Sequence, residues 1–202
     1  IRGFAETLHD NPQLPKDTTI EITGKIVKSC ERMTTLIKDL LTLADIEHLQ
    51  DSRLVPCDIL EILEACVSML QDAHPTADVH FDLQLPGPIT ISADKQLMEL
   101  AFWNLLENAA KYSTPPADIT VAVNEKPEEV VITIADRGIG IPPEDLEHVF
   151  QRFYTVNRMH SKKMGGAGLG LSLVETIISK HNGKITVESE VGKGTKFTVR
   201  LP

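Results

Sequence analysis

The stretch "WNLLENAAKYS" places Asn104, Asn108, Lys111 and Tyr112 at helical spacings that share one face, with Leu105, Leu106 and Ala109 on the other. Asparagine is a poor interior helix residue because its side chain competes with the backbone for hydrogen bonds. Two of them facing one way beside a lysine call for a reason. An amide oxygen is a hard ligand suited to Mg²⁺, an ion that keeps waters and bridges substrate phosphates. The lysine supplies a cation for a phosphate. A merely polar helix face is the alternative that these residues leave open.

Three further stretches carry chemistry. In "IADRGIGIPPEDL" an apolar strand ends in Asp136, followed by Gly138 and Gly140, and then by a proline-led segment that predicts a helix. A strand-end carboxylate beside glycines can accept from the exocyclic amine of a flat base such as adenine; an Asx turn explains the same residues. In "VFQRFYTVNRMHSKKMGGAGLGLSLV", Phe150 and Phe153 flank Arg152, and a basic stretch leads into four glycines within six residues, Gly165 to Gly170. That cluster offers either bare N–H groups for phosphate at a helix N-terminus or a flexible loop. Its spacing is neither G-x-G-x-x-G nor a Walker loop. In "VGKGTKFTVRLP", Gly192 and Gly194 predict a turn between the last two strands.

These stretches need elements to hold them. Ile1 to Leu8 reads as the end of a helix, "DNPQLPKD" as a turn, and Asp17 to Glu47 as a long amphipathic helix with an apolar seam of Ile22, Ile26, Met33, Ile37, Leu40 and Ala44. Such a hairpin leaves its seam wet, so the seam is expected to pair with a second copy in a four-helix bundle rather than pack on the rest of the chain. "HLQDSRLVPCD" reads as a linker. Beyond it, helices are predicted over Ile59–Leu70, Asp94–Lys111 and Gly168–His181. Strands are predicted over Val79–Leu83, Ile89–Ser92, Ile119–Val123, Val130–Ala135, Lys184–Glu188 and Lys196–Leu201. The fold class is α/β: a helical hairpin over residues 1–50, then an α/β sandwich over 51–202 whose antiparallel-rich sheet is covered on one face by helices.

The 202 residues carry a net charge of −9, and the short "RMHSKK" is the only dense basic stretch, which argues against sequence-independent nucleic-acid binding. No run is long enough to span a bilayer, and no signal peptide opens the chain. A membrane anchor, if any, is expected in parts absent from this chain. Cys30, Cys57 and Cys66 have no CxxC spacing and read as reduced, buried residues of a cytoplasmic protein.

Taken together and in this order, the stretches resemble the catalytic and ATP-binding domain of sensor histidine kinases, in the superfamily that also holds DNA gyrase and the heat-shock chaperone ATPases. "NLLENAAKY" is similar to the family's N box, "DRGIGI" to its first glycine box, "FQRFY" to its F box, "GGAGLGL" to its second and "GKGTKF" to its third. "IRGFAETL" and "CERMTTLIKDLLTLADIE" are similar to the dimerisation and histidine-phosphotransfer hairpin. The resemblance implies ATP and Mg²⁺ as cofactors, with Asn108 holding the metal, Asn104, Asn108 and Lys111 in catalytic positions, Asp136 reading adenine, and Lys111 and Tyr112 lining the nucleotide site. It further implies nucleotide contacts by Gly138, Gly140, Ile141, Phe150, Arg152, Phe153, Gly165, Gly166, Gly168, Leu169, Gly170, Leu171 and Thr195. The stretch Asn157–Met164 is expected to form a lid that orders on nucleotide. Its implied partners are a second copy of itself and a response-regulator receiver domain.

The family's phospho-accepting histidine sits in a motif like "SHELRTPL" on the first hairpin helix. No histidine of this chain stands in such a motif, and His9 lies at the hairpin turn. The chain is therefore expected to bind Mg²⁺–ATP but not to phosphorylate itself. Hydrolysing relatives place a glutamate general base one turn before the metal-binding asparagine. Here that position is Asn104, which cannot take a proton, so the sequence favours phosphoryl transfer over hydrolysis or a non-catalytic nucleotide sensor.

Overall fold

The computed structural model describes residues 1–47, 54–83, 87–156 and 168–202. The chain opens with α1 (Arg2–Asp10) and the 32-residue α2 (Lys16–Glu47), packed against each other as a hairpin. Next come β1 (Val55–Asp58), α3 (Ile59–Ala73), β2 (Asp78–Leu83), β3 (Thr90–Ala93) and α4 (Lys95–Tyr112). The β4 (Asp118–Lys126) and β5 (Glu129–Asp136) strands follow, then α5 (Gly170–Lys180), β6 (Lys184–Glu190) and β7 (Gly194–Leu201). Aspartates cap two helices: Asp58 accepts from the Leu60 N–H and Asp94 from the Leu97 N–H.

Five strands form the main sheet in the order β2-β4-β5-β7-β6. Only β2 and β4 run parallel; the β4–β5 and β6–β7 hairpins meet through the antiparallel β5–β7 pair. One sheet face buries Ile119, Val121, Val123, Ile132, Ile134, Phe197 and Val199 against the apolar faces of α3, α4 and α5. This is the α/β sandwich that the alternating strands and amphipathic helices imply.

Two expectations are corrected here. Val55–Asp58, read as linker, is a strand paired antiparallel to β3, from Val55 opposite Ala93 to Asp58 opposite Thr90. A four-residue strand containing Pro56 is too short and too unlike a strand in composition to announce itself, and proline is tolerated because the pair is an edge. The helix predicted after Gly140 is a single 3-10 turn, Pro143–Asp145, followed by turns. Its backbone bonds all span three residues: Asp145 N–H to Pro142, His148 to Asp145, Gln151 to His148 and Tyr154 to Gln151. The Tyr154 hydroxyl donates to the Asp145 carboxylate and ties the two ends of the segment together.

The hairpin behaves differently along its length. Leu43 and Ile46, at the C-terminal end of α2, are buried in the same core as the sandwich, where α2 meets α5. Higher up, Met33, Ile37 and Leu40 of the predicted seam are exposed, with Ile22 and Ile26 half-buried. Cys57 and Cys66 are buried as expected, and burial pushes the Cys66 thiol up to about 12; Cys30 is exposed on α2, contrary to expectation. The helix pair α4–α5 is pinned at its far end by His181, which is buried. Its Nδ1–H donates to the Ile177 carbonyl, so Nε2 is the acceptor for the Asp94 N–H at 3.0 Å. That pin fixes the end of α4 opposite the candidate site.

Candidate nucleotide site

The site gathers where β5, the C-terminal half of α4, the β6–β7 turn and the start of α5 converge. Asp136 ends β5. Its Oδ1 accepts from the Gly138 N–H at 2.7 Å and from the Thr195 N–H at 3.2 Å. Its Oδ2 takes no hydrogen bond from a described residue. Burial pushes this carboxyl above the usual aspartate range, against the opposing effect of the two N–H donors. The carboxylate is therefore desolvated, oriented by backbone on one oxygen, and open on the other.

The loop after Asp136 is clamped on two sides. The Tyr112 carbonyl at the end of α4 accepts from the Ile139 N–H at 3.1 Å, and the Ile139 carbonyl accepts from the Gly192 N–H at 2.8 Å. The Ile141 N–H donates to Ser189 Oγ, which bridges to Gly194 and Thr195. Gly138 lies against the Tyr112 carbonyl and Gly140 against the Glu190 backbone. Gly194 bars a side chain most tightly: φ is +108°, and a Cβ would overlap the Asp136 carbonyl.

On α4, Asn104 and Asn108 sit half-buried on the face away from the core, whose side is taken by Leu105, Leu106 and Ala109. The two amides are not equivalent. Asn104 Nδ2 donates to the Leu100 carbonyl at 2.8 Å, which turns Oδ1 toward α5. A Cβ on Gly170 would stand 2.6 Å from that oxygen. Gly170 thus lets the start of α5 close on Asn104, a packing use of the glycine cluster that the sequence did not reveal. Asn108 makes no side-chain hydrogen bond to a described residue. Lys111 Nζ lies 3.4 Å from Glu107 Oε1, and Tyr112 contributes its carbonyl as above.

The aromatic segment splits by role. Phe150 packs on the core, edge-on to Phe197 at 6.4 Å between ring centroids. Phe153 is 60% exposed with φ of +65°, its N–H bonded to the Gly168 carbonyl at 2.7 Å. Arg152 is exposed and lines, with Glu147, Glu175 and Thr176, an open groove of about 450 Å³ beside α5. Leu169 is fully buried and Leu171 packs on the core, so their side chains serve packing and leave only their backbone to reach a ligand. Gly165, Gly166 and the lid residues Asn157–Met164 lie outside the described residues.

The residues that fit a nucleotide are the half-satisfied Asp136 carboxylate, the unpartnered Asn108 amide and the Lys111 ammonium. Among the described residues no group of three or more His, Cys, Asp and Glu could hold a metal ion. Asn108 is a lone hard ligand of the kind that Mg²⁺ uses when phosphates supply the rest of its shell. Among the same residues no helix is long and apolar enough to cross a membrane.

Residues 93–202 match the family described as histidine kinase-, DNA gyrase B- and HSP90-like ATPase. The chain is 38% identical over 176 residues to the sensor histidine kinase RppB of Synechocystis, covering 85% of this chain and 38% of that protein. It is 32% identical over 189 residues to the sensor-like histidine kinase SenX3 of Mycolicibacterium smegmatis, covering 92% of this chain and 49% of that one. It thus spans less than half the length of these relatives. Among solved structures, the mycobacterial sensor histidine kinase MprB superimposes with a TM-score of 0.65 at 27% identity, over 74% of this chain and 97% of that one. The strand-end carboxylate, the asparagine-bearing helix and the glycine turns around them therefore belong to a member of the histidine kinase-, DNA gyrase B- and HSP90-like ATPase family, with the ATP-binding catalytic core of a sensor histidine kinase.

Proposed function

We propose that this chain is the kinase core of a two-component sensor, binding Mg²⁺–ATP and presenting its γ-phosphoryl group to a histidine on a helical hairpin. The observation that carries the reading is Asp136: a desolvated carboxylate with one oxygen fixed by backbone and the other left as an acceptor. That arrangement suits the amino group of adenine, and the energy of a hydrogen bond to a charged acceptor, about 1.5–3 kcal/mol, suffices to select the base. Asn108 would hold the metal through its amide oxygen, and Lys111 would meet the phosphates. The α5 N-terminus would offer its free N–H groups to the same phosphates. Bound Mg²⁺–ATP supplies the transferable phosphoryl group and the charge neutralisation that in-line transfer requires. Gly138, Gly140, Ile141 and Thr195 would shape the base end; Arg152, Phe153, Gly168 and Gly170 would border the phosphate end. Asn104, tied to Leu100 and packed on Gly170, places α5 and offers no base for water.

In this reading residues 1–50 are the dimerisation segment, the exposed seam of α2 pairs with a second copy, a receiver domain takes the phosphoryl group, and the core works in the cytoplasm. The test is chemical. The purified chain with Mg²⁺–ATP is expected to form no acid-labile phosphohistidine and to hydrolyse ATP slowly. A chain carrying an upstream segment with an "SHELRTPL"-like motif is expected to phosphorylate itself. Acid-labile phosphate on His9 or another histidine of the present chain contradicts the placing of the acceptor, and fast steady-state hydrolysis contradicts transfer as the reaction.

A further inference from the structure

Lys111 does not stand alone. Glu107, one turn earlier on α4, holds Lys111 Nζ at 3.4 Å through Oε1, while its Oε2 is 2.9 Å from Nε2 of His74, the C-cap residue of α3. All three side chains are part-buried, 34%, 25% and 26% exposed for His74, Glu107 and Lys111. A carboxylate only accepts, so His74 Nε2 carries the proton and donates, whichever state the other ring nitrogen is in. The α3–α4 packing that brings these residues together is the same packing that fills the core with Leu63, Cys66, Val67 and Leu70.

We propose that Glu107, braced by His74, is a positioning residue that fixes the Lys111 ammonium for the nucleotide phosphates. A free lysine has four rotatable bonds and must lose that freedom when it grips a ligand. Glu107 pairs with the ammonium as an ion at 3.4 Å and leaves its N–H donors for phosphate. His74 in turn removes the freedom of the Glu107 carboxylate, so the cation is placed before the ligand arrives, the condition under which binding is tightest. The opposing effect is that Glu107 adds a negative charge near a polyanion. The brace is what separates the two effects, because His74 can be altered with both charges left in place. The proposal rests on the nucleotide reading above.

The experiment compares ATP with adenosine, which keeps the base and lacks phosphates, by calorimetry on the whole chain with Mg²⁺. His74→Leu removes the donor; His74→Gln keeps a side-chain N–H; Glu107→Asp keeps the charge but shortens the reach. His74→Leu and Glu107→Asp are expected to weaken ATP about fivefold, the size of one partly exposed ion pair, with adenosine unchanged. His74→Gln is expected to recover most of the loss. Unchanged or tighter ATP binding in both His74→Leu and Glu107→Asp overturns the proposal, as does an equal loss for adenosine, which marks a general loosening of α4. Should Glu107→Asp fail to fold, His74→Leu and His74→Gln carry the comparison by themselves. Failure of the unaltered chain to bind ATP overturns the nucleotide reading and the proposal with it, an outcome distinct from the others.

Discussion

In α1 no residue is buried, and along α2 the side chains of Ile20, Val27, Met33, Ile37, Leu40 and Leu41 stand in solvent. In the sandwich, α3, α4 and α5 bury apolar faces against one side of a five-stranded sheet. Both regions have amphipathic helices of ordinary composition; only one contains a second layer to cover them. The hydrophobic gain, roughly 25 cal/mol per Å² of apolar surface, is realised within the chain for the sandwich. For the hairpin, Leu43 and Ile46 are buried in that core and Leu36 packs against it. The sandwich thus holds its elements in fixed geometry, while the hairpin leaves apolar side chains exposed along α2.

The largest expected effect attacks the self-sufficient half. Gly194→Val combines a backbone conformation unsuited to side chains with overlap on the Asp136 carbonyl. It should cost about 3 kcal/mol, read as a fall in thermal midpoint together with loss of ATP binding. An unshifted melt would mean that the turn is not the clamp described. Asn108→Ala is expected to act on ligand and not on fold. Metal-dependent ATP binding should fall at least tenfold, as loss of a metal ligand does, while stability moves within about 0.5 kcal/mol, since the amide has no described partner. A collapsed melt with metal dependence intact would make Asn108 structural. Ile37→Glu should change least: stability and ATP affinity of the single chain stay within about 0.5 kcal/mol, while self-association by sedimentation weakens. Undiminished association would remove the seam from the dimer interface.

The contrast was mostly legible in the sequence. Alternation in "DITVAVNEK" and "EVVITIAD", and the helical spacing of Leu97, Ala101, Leu105 and Ala109, report burial directly, so β4, β5 and α4 emerge from pattern. Of the α2 seam, the exposed Met33, Ile37 and Leu40 are legible for the same reason, while Ile22 and Ile26 are half-buried. What pattern cannot report is long-range pairing of polar groups. That Asp136 meets the Thr195 N–H across 59 positions, or that Glu107 meets His74 across 33, depends on sheet order and helix packing. Nor does composition distinguish Asn104, spent on Leu100 and Gly170, from Asn108, left open. Phe150 and Leu169 illustrate the converse: placed in stretches that the resemblance implies for nucleotide contact, their side chains serve the core.

The pH behaviour of Asp136 sharpens the division between fold and site. Burial raises its folded-state pKa above the unfolded value. Its contribution to stability is therefore fully present below the unfolded pKa and is lost as pH rises through the folded one. Above its folded-state pKa the fold carries an ionised, desolvated carboxylate at a net cost. Asp136→Asn removes that cost, so it should melt no lower than the parent at pH 7, and the difference should shrink toward pH 4.

The most direct measurement is calorimetry of ATP binding by Asp136→Asn and the parent chain at pH 7 with Mg²⁺, alongside their melting curves. Loss of a charged acceptor for the base predicts an affinity lower by about 1.5–3 kcal/mol, roughly ten- to a hundredfold, with a thermal midpoint equal to or above the parent's. Equal ATP affinity in the two chains, or weaker binding that merely follows a lower melting temperature, would contradict the assignment of Asp136 as the residue that reads the nucleotide.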